Sequence, residues 1–475
     1  MSKLTIVGSS KESGVLGSQC YALDDILIDC GIGMVRRDGV TRSVPPELAT
    51  LAGRSTKIKA GLLTHSHLDH IGALPILARN NLIDLNAKIW ATPQTCNVSF
   101  DVCKDSVQHT DLYDEGDFLL MPDFSPIAAP GEFEVLPGQR AWAFPNGHLN
   151  GSSGFVFRLK SGKNALVMGD WCSHDQPIVK GMLPVSEWPE EWIPDMVIAS
   201  DWTYGLSSLE AKRTFASEAA RMRTVIRHRF EQGMFIRVFV FANGKMQNVA
   251  RILADEFRSI GVPIYIDGRL GKKVWKTYRD VQWSDRDVPV PALGEQSGIY
   301  EVEGRRHREE LMNAQQPNII ITSPGMGDVG LGPQYLQASL PRRDHFVASS
   351  SFLAEGSNLY ELERLLDGHP RYRDGDDISF SVTSRNKEQE EEAVLVPMRA
   401  EYDHFGLSAH NGPADNLAFL DALIERRGGA KLERYGVGHG APEARAMGAQ
   451  LVRHYVIDPD RNVIDLAPGT VIDLD

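Results

Sequence analysis

The chain has 475 residues, 42% hydrophobic and 24% charged, the balance of an ordinary globular protein and more chain than one core usually serves, so two folding units are expected. A net charge of −13 excludes a uniformly cationic surface and leaves any nucleic-acid track to three basic clusters: RMRTVIRHR (221 to 229), GRLGKKVWKTYR (268 to 279) and PRRDH (341 to 345). No apolar run is long enough to span a membrane, and five irregularly spaced cysteines without a CxxC exclude a disulfide framework and a thiolate zinc cage, so a soluble cytoplasmic protein with no membrane partner is expected.

Along the first two hundred residues, short β-branched and apolar runs alternate with turn residues: LTIVG, DILIDCG, AGLLTHSH, AKIWATP, GFVFRL, NALVMGD and DMVIASD. Each has strand length, and several end directly in Asp or His. Loops at the ends of a rigid sheet can aim such side chains at one point. From Ser207 to about Arg229 the residues read as helix. The strand FIRVFVFA (235 to 242) follows, then a helix with Val249, Ile252, Leu253, Phe257 and Ile260 on one face, then the strand PIYIDG. That order implies a parallel unit. Further strands are expected at NIIITSPGM (318 to 326) and HFVASSS (345 to 351), and the acidic run EQEEE (388 to 392) reads as solvated surface. The expected organisation is α/β: a first domain over 1–206, an insertion over 207–398, and the rest of the first domain over 399–475.

The sharpest feature is Thr64-His65-Ser66-His67-Leu68-Asp69-His70, between the strand AGLL and the helical run IGALPILARN. Residues i and i+2 at a strand end share a side, so His65 and His67 can hold one metal ion. The turn into the helix presents Asp69 and His70 to a second. Two imidazoles do not complete a site. Further candidates are His148, between the glycines of NGHLNGS, Asp170 at the end of ALVMG, where one carboxylate could bridge both ions, and His439 in VGHG.

HxHxDH followed by GHxxGS-like and GD segments resembles the metallo-β-lactamase superfamily. Ser200-Asp201-Trp202-Thr203-Tyr204-Gly205, Phe405-Gly406-Leu407-Ser408-Ala409-His410 and Gly438-His439-Gly440 are similar to the three signature segments of the β-CASP nucleases, a group that includes the pre-mRNA 3′-end-processing endonuclease and ribonuclease J. The likeness runs from about Leu4 to Glu443. It implies an αββα sandwich with an inserted α/β β-CASP domain. It also implies two zinc ions: His65, His67, His148 and Asp170 on one, Asp69, His70, Asp170 and His439 on the other. Asp29 in LIDCG matches the acid that orients the attacking water, and His410, paired with Asp201, matches the proton donor to the leaving oxygen. Ser323, Ser349 and Ser350 are candidates to meet flanking phosphates. Trp202 departs from the family pattern with a bulky indole expected to alter access. Lys245 stands where relatives carry arginine, offering a point charge to phosphate. The long polar segment Arg36 to Lys59 receives no assignment.

Two divalent ions about 4 Å apart suit in-line displacement at phosphorus. The expected activity is hydrolysis of RNA, single-stranded by preference, from within or from the 5′ end, in RNA processing or decay. A homodimer is compatible with the sequence. The alternatives are a DNA nuclease, against which His439 argues, a small-molecule hydrolase such as a lactonase, which needs no inserted domain, and an inactive scaffold, which should have lost ligands.

Overall fold

The computed structural model describes residues 2–9, 17–37, 40–108, 110–207, 214–368, 378–385 and 391–475. Two seven-stranded sheets form one layered unit. The first runs in the order Val471–Asp473, Lys3–Gly8, Cys20–Leu23, Ile26–Ile28, Ile58–Leu62, Ile83–Ala91, Phe124–Pro126. The second runs Val463–Asp465, Tyr435–His439, Met196–Asp201, Asn164–Val167, Ser153–Arg158, Gln139–Pro145, Gly131–Leu136. Ile6, Ile28 and Leu62 from the first sheet share a buried cluster with Ala143, Phe155, Val167 and Ile198 from the second. Side chains of this size contribute about 1.5–3 kcal/mol each when buried, which fixes the two sheets face to face. Helices cover the outer faces. Leu74–Arg79 and Pro93–Ser106 pack on the first sheet, and Pro413–Arg426 on the second. The αββα layering implied by the resemblance is present.

A third sheet is all parallel, in the order Ile299–Glu301, Ile264–Asp267, Ile319–Thr322, Phe235–Phe239, His345–Ser349, Glu401–His404. Phe235–Phe239 and Ile319–Thr322 are buried at every position, because Lys245–Phe257 and Arg269–Asp280 cover one face and Gly332–Ser339 covers the other. That burial on both faces is why these strands read as unbroken apolar runs.

Three expectations change. The inserted unit extends past the expected boundary at 398: Glu401–His404 forms the edge strand of the third sheet, because the short polar sequence EYDH carries no sign of which sheet it will join. The unassigned segment from Arg36 contributes to a hairpin, Gly33–Arg37 with Val40–Val44, and Arg36 lies 3.9 Å from Glu361 of the inserted domain. The helix expected from Ser207 begins at Phe215, with Thr214 capping it through Ser217 N. Positions 208–213 lie outside the described residues, as do 388–390 of the acidic run. Among the described residues, no helix is long and apolar enough to cross a membrane.

Candidate metal centre

Every candidate ligand sits at a strand end or in the loop that follows one. Ile58–Leu62 delivers His65 and His67, and the short helix Leu68–Ile71 turns Asp69 and His70 inward. Asn164–Val167 leads to Asp170, and Tyr435–His439 ends on His439. His148 lies in the turn after Gln139–Pro145, preceded by Gly147 at φ 77, where an added Cβ would collide with the Cys172 carbonyl and Met182 N. One ligand atom each from His65, His67, His148 and Asp170 lies within 4.8 Å of the others, and so does one each from Asp69, His70, Asp170 and His439. Asp170 belongs to both sets through different oxygens. Its Oδ2 is 3.7 Å from His65 Nε2 and 3.8 Å from His148 Nε2, while its Oδ1 is 3.3 Å from His70 Nε2 and 3.5 Å from His439 Nε2.

Each of the five imidazoles has its other ring nitrogen directed at an oxygen. His70 Nδ1 donates to Asp29 Oδ2 at 2.7 Å and His148 Nδ1 to the Ala409 carbonyl at 2.9 Å. His67 Nε2 donates to the Asn243 carbonyl at 3.3 Å. Thr64 Oγ1 gives its own proton to Asp29 and so accepts from His65 Nδ1 at 3.1 Å. Thr203 Oγ1 likewise donates to Asp201 Oδ1 and accepts from His439 Nδ1 at 2.7 Å. This pattern fixes the tautomers and leaves His65 Nε2, His67 Nδ1, His70 Nε2, His148 Nε2 and His439 Nε2 with lone pairs facing the cluster. His65 Nε2, His70 Nε2 and Asp170 Oδ1 are buried without a hydrogen-bond partner among the described residues. Buried lone pairs facing one another are costly unless a cation satisfies them, so the donor set fits a pair of divalent ions.

Charge divides the cluster. Burial, reinforced by neighbouring imidazoles, pushes His65 and His148 well below the usual histidine range, and burial lowers His67. Burial also lowers His70 and His439, but adjacent carboxylates outweigh it. Asp170, Asp29 and Asp69 hold His70 well above the ordinary value, and Asp170, Asp69 and Asp201 lift His439 to about 9. Burial alone would raise Asp170, yet His439, His70 and His410 hold it well below the carboxylate range.

His410 stands at the open side, its side chain 20% exposed. Its Nδ1 donates to Asp201 Oδ2 at 2.8 Å, and its Nε2 is 3.8 Å from Asp170 Oδ2. Asp170, Asp201 and His410 also form a cluster with metal-ligand spacing, although Asp201 already accepts from His410 and from the Thr203 amide and hydroxyl.

Asp29, held in the left-handed region at φ 55, accepts from Thr64 N, Thr64 Oγ1 and His70 Nδ1, so its carboxylate orients the candidate ligand His70. Trp202 does not alter access: it is fully buried, packs against Gly448 and donates to Tyr435 Oη at 3.3 Å. Ser349 is not available to phosphate either, because its hydroxyl is bound at 2.7 Å to both Tyr402 Oη and His404 Nδ1. Ser350 Oγ is buried without a partner, and Ser323 sits just past Ile319–Thr322, against Gly268. Lys245 begins its helix with a partly exposed stem, but its Nζ is buried without a hydrogen-bond partner among the described residues, and burial lowers it to about 8. The basic clusters are largely ion-paired: Arg221 with Glu218 and Asp403, Arg227 with Glu231 and Glu256, Arg229 with Glu401, Arg342 with Asp344, Lys273 with Asp101. Sequence reasoning missed Thr64 and Thr203. Both lie inside motifs already singled out, and a hydroxyl next to or two residues from a ligand-type residue was the available signal.

Residues 24–199 match the family model of the beta-lactamase superfamily domain, and residues 246–361 match that of the Beta-Casp domain; together these span more than half of the chain. Among curated relatives, an endoribonuclease ysh1 of Emericella nidulans is 23% identical over 399 residues, 76% of this chain and 43% of the relative. The transcription termination factor FttA of Pyrococcus horikoshii is 26% identical over 356 residues, 70% of this chain and 52% of that protein. An RNase J-like protein of Methanocaldococcus jannaschii is 24% identical over 359 residues, 73% of this chain and 78% of that protein. The chain thus spans about half the length of the first two relatives. With both domain types present in one chain, and the second following the first as an insertion before the last sandwich strands, the protein belongs to the β-CASP family of metallo-β-lactamase-fold proteins.

Proposed function

We propose that the chain is a zinc-dependent ribonuclease that hydrolyses phosphodiester bonds of single-stranded RNA. The observation that carries this reading is His410. It is a partly exposed imidazole outside both ligand sets, fixed by Asp201 at 2.8 Å and with Nε2 3.8 Å from Asp170 Oδ2. A small-molecule hydrolase has no need of such a group beside a cleft roofed by a second α/β domain. Endoribonuclease and RNase J-like names among the relatives support RNA as the substrate class.

His65, His67, His148 and Asp170 would hold one zinc and Asp69, His70, Asp170 and His439 the other. When bound, the pair supplies Lewis acidity at phosphorus and neutralises charge on the oxygens of the transition state. The chain's own residues do the rest. His410, protonated at Nε2, delivers that proton to the leaving oxygen as the P–O bond breaks. Asp201 accepts from Nδ1, which orients the ring. Asp29 is a positioning residue for His70. Lys245 and Ser350, whose Nζ and Oγ are buried without a hydrogen-bond partner among the described residues, remain the candidates in the inserted domain for a flanking phosphate, and each would have to be uncovered to reach one. Lys245 also exerts its charge on Cys172, His174 and His404.

Matched end-labelled RNA and DNA strands test this reading. RNA cleavage at least roughly tenfold faster is expected, with the sizes of early products separating internal from 5′-terminal attack. Equal or faster DNA cleavage would assign the chain to DNA, and lactone or thioester hydrolysis without nuclease activity would overturn the proposal.

A further inference from the structure

Two ligand-bearing turns of the first domain are held in place by polar groups of the inserted domain. Around His67, the acceptor for Nε2 is the carbonyl of Asn243. The Asn243 side chain donates to Ser66 Oγ at 2.9 Å and accepts from Tyr278 Oη at 2.7 Å. Asn243 is 4% exposed and Tyr278 1%, so both bonds are sheltered from water. Around His148, the anchor is Asp287, 5% exposed. Its Oδ1 accepts from Gly151 N at 2.8 Å, and its Oδ2 accepts from Gln94 Nε2, Trp283 N and Ser284 N, each at 2.9 Å. Gln94 Nε2 also reaches Asn150 Oδ1 at 3.1 Å. On the other side of the same turn, Gln176 Nε2 donates to the Gly147 and His148 carbonyls, and Gln176 Oε1 accepts from Asn248 Nδ2 at 2.8 Å.

A buried carboxylate accepting four N–H groups is a strong, directional clamp, since each charge-assisted bond is worth roughly 1.5–3 kcal/mol. Both sets of bonds fall on ligand-bearing turns: Asn243 meets Ser66 and His67, in a turn that also carries Asp69 and His70, and Asp287 and Gln176 with Asn248 brace the turn of His148. His70 and His439 take their outer partners, Asp29 and Thr203, from the first domain itself.

We propose that Asn243, Tyr278 and Asp287 are positioning residues for one metal site, so that seating of the inserted domain and occupancy of the His65, His67, His148 and Asp170 site stabilise each other. This rests on the ligand assignment proposed above. The coupling is reciprocal: whatever free energy the seated domain adds to metal binding, the bound metal adds to domain seating. The first zinc equivalent is then read by the cap before any substrate arrives. Loss of metal loosens the roof of the cleft on that side and leaves the His70 and His439 side in place.

The test uses the full chain and zinc alone, with chelator competition for affinity and backbone hydrogen exchange for seating. In the unsubstituted protein, zinc should slow exchange in segments 241–248 and 281–288, which supply no ligand. Asp287→Asn should lower the affinity of one zinc equivalent about tenfold or more, the usual consequence of losing an outer partner, and leave the other equivalent within twofold. Tyr278→Phe, which removes one hydroxyl and no volume of consequence, should shift the same equivalent in the same direction by less, and this variant with the wild-type exchange data decides the matter if Asp287→Asn does not fold. Unchanged zinc affinity in a folded Tyr278→Phe, together with exchange in both segments that ignores zinc, would overturn the inference. A wild-type protein that binds no zinc would overturn the ligand assignment and the inference with it, whereas two tight equivalents insensitive to these substitutions would overturn the inference alone.

Discussion

In the His65, His67 and His148 half of the centre two of the three outer partners are backbone carbonyls and the third is the Thr64 hydroxyl backed by Asp29, whereas in the Asp69, His70 and His439 half both imidazoles are anchored by carboxylates, directly through Asp29 and by way of Thr203 through Asp201. Burial and crowding of imidazoles push His65 and His148 below the usual histidine range, whereas adjacent carboxylates push His70 and His439 above it. His65 and His148 take their direct partners, Thr64 and Ala409, from the first domain, and His67 takes its partner, Asn243, from the insertion. Both imidazoles of the acidic half are held within the first domain. The support reaching across from the insertion thus bears on the His67 and His148 side of the centre.

Substitutions separate the halves. Asp170→Ala breaks both at once, because each set loses an oxygen; zinc content should fall to one equivalent or fewer, and turnover by at least roughly 10⁴. Retention of two tight equivalents would show that the bridge is not a ligand. His410→Ala touches neither half. It should keep both zinc ions and RNA affinity while turnover drops by roughly two to four orders of magnitude, since a proton donor acts only as the P–O bond breaks. Loss of one zinc equivalent there would place His410 among the ligands instead. Asp29→Asn strikes the acidic half directly, through His70, and reaches the other half only by way of Thr64 and His65, so a 10- to 100-fold loss of affinity is expected for one zinc equivalent and a smaller loss for the other, measured by chelator competition.

The smallest effect concerns Lys245. Its folded value of about 8 lies below its unfolded value of 10.5, so at neutral pH folding must bury a charged ammonium. That penalty is fully present below about pH 8 and is relieved as pH rises from there through 10.5. Lys245→Met should therefore stabilise the protein without RNA at pH 7 by up to about 3 kcal/mol, with the gain shrinking across that window, and should weaken RNA binding at pH 7. Denaturant unfolding and RNA titration at pH 7 and pH 10 check both. A destabilised Lys245→Met would mean that the ammonium has a structural partner.

Much of this was legible in the sequence for definite reasons. Strand ends carrying Asp or His announced the sandwich and its ligands, because a rigid sheet end is where such residues are useful. The parallel sheet of the insertion was readable from apolar runs such as FIRVFVFA. What could not be read was register and orientation. Trp202 looked like a barrier and is core, since nothing in one sequence says which way an indole points from a strand end. Ser349 looked available and is occupied by Tyr402 and His404 from the neighbouring strand, a pairing fixed only by the parallel register of His345–Ser349 with Glu401–His404. Asp29 could be singled out from LIDCG, but its φ of 55 and its bond to His70 are three-dimensional facts.

The most direct test of the central claim is the rate of single-stranded RNA cleavage during stepwise addition of zinc to metal-stripped protein. If the two ligand sets joined by Asp170 act together, cleavage should be absent from the stripped protein, remain low up to one equivalent, and rise to its full rate as occupancy approaches two. Full activity in the stripped protein, or at a single equivalent with no further gain, would contradict the account.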